Sequence, residues 1–162
     1  MRGFEQSVAW RNAEEGDLQI LVSMEERCFA SVDRFSRRKI RYYLRNPHGS
    51  VIVHVIELNG EPAGYSVLLS RCGRTGATLH SICVLPEHEG KGIARAYLSE
   101  MMPESGLRSI LLRVRCSNQR ALGLYTSLGF RLDGVAPLYY DDAEDAIMMR
   151  WEPMDRKRSM FE

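Results

Sequence analysis

The stretch of this chain that could carry chemistry is Ser81-Ile-Cys-Val-Leu-Pro-Glu-His-Glu-Gly-Lys-Gly-Ile-Ala-Arg95. A strand runs into Glu89-Gly-Lys-Gly-Ile-Ala94, which opens a helix. Gly90 and Gly92 let backbone approach a bulky ligand, and the first N–H groups of a helix point at negative charge. Lys91 and Arg95 add cations, so the segment is suited to cradling an anion. Taken alone, the loop is equally readable as a plain strand-to-helix turn. The GxxxxGK[ST] spacing of a Walker A loop is absent, and no third glycine sits in register for a dinucleotide fingerprint. A second stretch, Val114-Arg-Cys-Ser-Asn118 leading into Ala121-Leu-Gly-Leu-Tyr125-Thr-Ser-Leu-Gly-Phe130, follows about 25 residues on. Asn118 is placed to cap a helix there. Tyr125 shares a helical face with Ala121, Leu124 and Leu128, so its spacing alone makes it a core aromatic.

These pieces need elements to hold them. Residues 7–10 can form a first strand. Asp17 is a candidate N-cap for a helix with Leu18, Leu21, Val22, Met24, Cys28 and Phe29 on one face. A more basic helix spans about residues 36–45, burying Ile40, Tyr43 and Leu44, and stops before Pro47. Residues 51–57 and 65–69 are apolar runs joined through Asn59-Gly60, a hairpin signature. Gly73 and Gly76 mark another turn before a strand at 77–85. A helix at 92–102 ends at Pro103 and Gly106, and residues 110–114 make a buried strand. The Asn118 helix closes at Gly129. Strands at 130–136 and 146–151 flank a loop at 139–145. The order β, α, α, β, β, β, α, β, α, β, β, without repeat or low-complexity linker, is one mixed α/β domain over residues 1–152, with a charged tail at 153–162.

Composition removes whole classes. At 162 residues the chain is long enough for one domain, at about 150 residues per domain. With 22 Lys and Arg against 21 Asp and Glu, the total of +1 argues against a polybasic nucleic-acid binder or an acidic tail. Cys28, Cys72, Cys83 and Cys116 form no CxxC pair, and no histidines sit at zinc-ligand spacing, so no metal site is expected. The first 17 residues are too charged for a signal peptide, and no run nears the ~18 apolar residues of a membrane span. Reduced thiols and the missing export signal point to the cytoplasm, as a monomer or homodimer.

Together the two chemistry-bearing stretches resemble the GNAT superfamily of acyl-CoA N-acyltransferases. The first is similar to its pyrophosphate loop, R/Q-x-x-G-x-G/A, and the second to its N-x-x-A-x-x-L-Y-x-x-L-G-F signature. The ending, Gly134-Val-Ala-Pro-Leu-Tyr-Tyr140 with Glu144-Asp-Ala-Ile-Met-Met149, further resembles the RimI-type protein N-terminal acetyltransferases. The resemblance implies a mixed, mostly antiparallel sheet with a splayed parallel strand pair and helices on both faces. It implies acetyl-CoA as acyl donor, lying in the splay. Ile82, Cys83 and Val84 would line the pantetheine; Glu89, Gly90, Lys91, Gly92, Ile93, Ala94 and Arg95 would form the pyrophosphate loop. Asn118 would bond the cofactor near its pantetheine arm, beside or instead of capping its helix. Tyr125 matches the family tyrosine that protonates the departing thiolate.

Two positions depart from the pattern. Glu89 stands where the motif begins with Arg or Gln. Arg113 stands where the RimI-type general base is a glutamate, and arginine cannot accept a proton. His80, four residues before Val84, resembles a histidine of arylalkylamine N-acetyltransferases that acts through water; a half-exposed strand histidine is an equal reading. His54 and His88 read as solvated or turn residues. Glu25 and Glu26 are further acids that could reach the cleft.

The acceptor follows from magnitudes. A neutral nucleophile at pH 7 costs roughly 1.4 kcal/mol from an α-amine and roughly 4–5 kcal/mol from a lysine. A site without a carboxylate base therefore favours a peptide N-terminus or a low-pKa small amine. Tyr139 and Tyr140 could line the acceptor groove, with Asp141 and Asp142 attracting an amine; a solvated acidic loop is the other reading. The expected function is an N-acetyltransferase acting on a protein or peptide N-terminus. The alternatives are a small-molecule amine acetyltransferase and a non-catalytic acyl-CoA-binding module.

Overall fold

The computed structural model describes residues 5–70 and 75–154. Cys72, Gly73 and residues 155–162 of the expected tail lie outside the described residues. The elements are β1 (Val8–Asn12), α1 (Leu18–Cys28), α2 (Arg37–Arg45), β2 (Val51–Leu58), β3 (Glu61–Ser70), β4 (Gly76–Val84), α3 (Ile93–Glu104), β5 (Ser109–Arg115), α4 (Gln119–Ser127), β6 (Arg131–Ala136) and β7 (Ala146–Trp151), with short 3-10 turns between. The strands form one sheet in the order β1-β2-β3-β4-β5-β7-β6. Every pairing is antiparallel except β4 with β5.

Alternation along the strands builds two cores, because successive side chains leave a strand on opposite faces. On one face, Leu21 and Met24 of α1 and Ile40 and Tyr43 of α2 cover Val53, Val55, Tyr65 and Val67. On the other, Tyr97, Leu98 and Met101 of α3 and Tyr125 of α4 cover Ile56, Leu68, Leu79, Ile110, Leu112 and Val114. Burying each of these large apolar side chains contributes about 1.5–3 kcal/mol. The odd residues of β5, Leu111, Arg113 and Arg115, therefore face the α1–α2 side.

Local chemistry sets the turns. Asn59 and Gly60 take φ of 52° and 84°, the mirror-image turn whose twist matches the flanking strands. Ser36 Oγ accepts from Lys39 N–H at 3.1 Å to start α2, and Asn46 closes it at φ 43° before Pro47. Three boundaries differ from expectation. Asp17 does not cap α1: its carboxylate turns back to take both guanidinium nitrogens of Arg11, at 2.8 and 2.9 Å, and Glu14 N–H at 2.8 Å. A bidentate charged pair outweighs a single capping bond. Pro103 lies inside the last turn of α3, where its missing N–H forfeits one bond to Ser99. The first strand runs on to Asn12, since β2 supplies partners as far as His54.

His54 is buried rather than solvated. Its Nδ1 lies 2.7 Å from Tyr97 Oη, which also meets Ser66 Oγ at 2.5 Å. Among the described residues no helix is long and apolar enough to cross a membrane.

Candidate active site

The parallel pair opens into a cleft. β4 and β5 are in register only at Gly76–Ser109, Ala77–Ile110 and Thr78–Leu111. Beyond Thr78 the two strands part, and residues 79–84 and 112–115 no longer pair with each other. Where they part, β4 carries an extra residue. Leu68 of β3 pairs with Leu79 and Val67 with Ser81, so His80 is the bulge. Bulges bend a strand and re-aim its side chains. Gly64 pairs with Val84, and a Cβ there would lie 2.2 Å from the Cys83 carbonyl oxygen, so only glycine allows β3 to back this end of β4. Ile82 and Val84 are half-buried against the α3–α4 core, while the buried Cys83 thiol turns to the α1–α2 side. The backbone of 82–84 thus borders the cleft with a free edge toward β5.

At the end of β4 the chain turns through Pro86–His88 into the glycine segment. Gly90 and Gly92 take φ of 76° and 73°, and a Cβ on either would meet nothing within 4 Å. The space around the turn is therefore open on the protein's own surface. The first intrahelical bond of α3 is Ala96 N–H to Gly92 O at 2.9 Å. The N–H groups of Ile93, Ala94 and Arg95 precede it and are left for a ligand. That donor set fits a pyrophosphate. Glu89 does not oppose it: its carboxylate points toward the start of α4, 4.0 Å from Arg120 Nη1. Lys91 Nζ lies 3.4 Å from His88 Nδ1, and Arg95 bonds Ser127 Oγ, tying α3 to α4.

Asn118 caps α4, its Oδ1 accepting from Ala121 N–H at 3.2 Å. Its amide hydrogens have no partner among the described residues. About two helical turns further, Tyr125 packs edge-on against Phe130 with ring centroids 5.5 Å apart. Burial, with Tyr140 close by, pushes its phenol up to about 12, so the proton stays on oxygen at neutral pH. The hydroxyl has no hydrogen-bond partner among the described residues, and none of their side-chain polar atoms is both sealed in and unpartnered. The Tyr125 O–H is therefore not sealed from solvent. Tyr125 packs as a core aromatic whose hydroxyl stays protonated and unpaired among the described residues.

His80 lies across the splay from Tyr125, on the α1–α2 face. Its ring stacks on Phe35, centroids 5.3 Å apart and planes 10° from parallel, and meets the edge of Tyr43 at 6.2 Å. The residue is nevertheless exposed at the surface, as the half-exposed reading expects. The cover of these rings, then the charges of Lys39 and Arg113, hold its imidazole below the ordinary value. No contact joins His80 to Tyr125; the cleft separates them.

Sequence reasoning left Glu25 loosely placed. It is 2% exposed, beneath the loop joining α1 to α2. It accepts from Tyr65 O–H and, at 2.8 Å, from Phe35 N–H. Burial raises its carboxyl above the usual range. Glu25 thus anchors Phe35, which packs His80. Helical spacing from Leu21 and Met24 places Glu25 beside the core face, but its partner Tyr65 is 40 residues away.

Most acids of the loop between β6 and β7 are paired within the protein. Asp142 and Glu144 are taken by Arg115 at 2.8 and 3.1 Å, with Asp33 joining at 3.5 Å. Glu144 also accepts from Ser117 N–H at 2.9 Å, and Asp145 from Leu138 N–H at 2.9 Å. These acids fasten the loop and are not an open anionic lure; Asp141 remains exposed without a partner among the described residues. Tyr139 and Tyr140 stack on Arg113 and Arg115, at 5.4 and 4.0 Å. A pocket of 330 Å³ beside Trp10, His54 and Met101 includes no residue of the cleft. Among the described residues no cluster of His, Cys, Asp and Glu could hold a metal.

Comparison with known proteins agrees with this geometry. The acetyltransferase (GNAT) family model matches residues 18–130. The N-alpha-acetyltransferase RimI of Mycobacterium tuberculosis is 32% identical over 143 residues, covering 86% of this chain and 89% of that protein. The uncharacterized protein ML0378 of Mycobacterium leprae is 40% identical over 75 residues; the match spans 46% of this chain but only 21% of that protein. The crystal structure of the ribosomal-protein-S18-alanine N-acetyltransferase from Escherichia coli superimposes with a TM-score of 0.78 and 27% identity, covering 92% of this chain and 96% of that chain. The chain belongs to the GNAT family of acetyltransferases.

Proposed function

We propose that this protein transfers the acetyl group of acetyl-CoA to the α-amine of a peptide or protein N-terminus in the cytoplasm. The observation that carries the reading is the parting of β4 from β5 beside the glycine turn that opens α3. The RimI enzymes named above, which act on α-amines, support the choice of acceptor.

Bound acetyl-CoA supplies a thioester carbonyl for attack by an amine. The N–H groups of residues 93–95 and the side chains of Lys91 and Arg95 hold the pyrophosphate, with Glu89 turned aside. The free edge of 82–84 and the amide of Asn118 hold the pantetheine arm. Tyr125 keeps its proton until a thiolate departs beside it, then gives it up. His80, neutral at working pH, takes the amine proton through water. Arg113 cannot do so; its charge disfavours the ammonium form of an incoming amine. An α-amine needs only roughly 1.4 kcal/mol to reach its neutral form at pH 7, within reach of so modest a base.

The test is free-thiol release from acetyl-CoA with a panel of N-terminal peptides and small amines. Release with unblocked peptides, absent when the same peptides are Nα-blocked, is expected. Release only with small amines contradicts the acceptor assignment; CoA binding without release from any acceptor favours a binding module.

A further inference from the structure

The balanced total charge hides a one-sided distribution around the acceptor side of the cleft. Residues 34–45 hold six cations, Arg34, Arg37, Arg38, Lys39, Arg41 and Arg45, and no acid. The next carboxylate along the chain is Glu57. Some of these cations are occupied locally. Arg45 meets Glu15 at 3.2 Å, Arg37 meets Gln19 at 2.8 Å, and Arg34 binds the carbonyls of Phe29 and Glu26. Arg38, Lys39 and Arg41 have no carboxylate within 4.0 Å among the described residues.

Lys39 stands at the cleft. Its Nζ lies 5.9 Å from the Phe35 ring centroid and 5.6 Å from that of Tyr43, the two rings that pack His80. Arg113 faces the same region from β5, stacked on Tyr139 and likewise without a carboxylate partner among the described residues. Asp33, Asp142 and Glu144 are gathered on Arg115, which leaves Asp141 as the unpaired acid of the neighbouring loop. Beside His80 itself, Lys39 and Arg113 are two cations without a carboxylate partner among the described residues.

We infer that the acceptor is a peptide with acidic side chains in the first few positions after its α-amine, received by Lys39 and Arg113. This rests on the α-amine reading above and deepens it. Charge complementarity selects partners chiefly by penalising like charge, so a lysine-rich peptide or a polyamine is disfavoured there. The same cations lower the pKa of the incoming ammonium, which helps a site whose base is weak.

The experiment compares kcat/KM for three Ala-initiated peptides carrying Asp-Glu, Ser-Gly or Arg-Lys next, at low and high salt. The acidic peptide is expected to be favoured over the basic one by about tenfold or more, with the gap narrowing as salt rises. Lys39→Glu should shrink or invert the preference. Arg41→Glu, on the opposite edge of α2 from Lys39, makes the same change in total charge and should leave the preference in place. Turnover without charge preference, or a preference that K39E does not move, overturns this inference alone. Loss of binding to a single-stranded RNA oligonucleotide in K39E, without change in peptide preference, assigns the helix to RNA and also overturns it. No turnover with any peptide overturns the α-amine reading and this inference with it.

Discussion

The ring of Phe35 lies over the imidazole of His80, 5.3 Å between centroids and 10° from parallel. Phe35 N–H in turn donates to the buried carboxylate of Glu25 at 2.8 Å. A residue of the first helix thereby sets the packing of a histidine on the fourth strand, through one loop. The proposed base is held from outside its own strand.

Phe35→Ala should release that packing. Burial is the first cause of the depressed His80 imidazole, so its pKa should rise toward the ordinary value. The acid limb of the pH–kcat/KM profile then moves to higher pH, with a loss in kcat of about tenfold. A profile unchanged in position would remove His80 from proton transfer.

Glu25→Ala leaves the Tyr65 hydroxyl and Phe35 N–H unpaired in the interior, at a cost of about 2–4 kcal/mol read by denaturant unfolding. Glu25→Gln separates charge from shape. Because the folded-state carboxyl is raised, its contribution to stability is full below the ordinary carboxylate range and is lost as pH rises through the raised value. The Gln variant should lose that part of the slope, which begins above the ordinary carboxylate range. An identical slope in wild type and variant would mean Glu25 is charged at neutral pH.

Much of this was legible in the chain. Asn59-Gly60 announces its turn because both residues tolerate positive φ. Asn118 and Ser36 cap helices through bonds three residues long. Gly90 and Gly92 signal an open turn, and the two family signatures place Tyr125. What escaped is long-range. Glu25 finds Tyr65, His54 finds Tyr97, and Arg115 collects Asp33, Asp142 and Glu144 from two distant loops. No local pattern encodes such partners. Asp17 misleads for the same reason, since Arg11 on a neighbouring strand claims its carboxylate. The bulge at His80 is likewise invisible until β3 supplies the register.

Tyr125→Phe removes one oxygen from a side chain otherwise packed on Phe130. Stability and CoA affinity should hold, while kcat falls by about a hundredfold or more. An unchanged kcat, with CoA binding intact by calorimetry, would leave Tyr125 as a core aromatic only.

Gly92→Ala forces a side chain into φ 73°, at a cost of roughly 1–2 kcal/mol, and sets a methyl in the open space at the turn. The Kd for CoA should rise by about tenfold or more, with Gly90→Ala behaving alike. Affinity unmoved in both would take the pyrophosphate away from this turn.

The central claim is acetyl transfer to an α-amine, and site-resolved mass spectrometry tests it most directly. One peptide bearing both a free N-terminus and an internal lysine is incubated with protein and acetyl-CoA, then fragmented. A single acetyl group on the N-terminal residue, with the lysine untouched, is the predicted result. Acetylation of the lysine side chain, with the α-amine left free, would contradict the account.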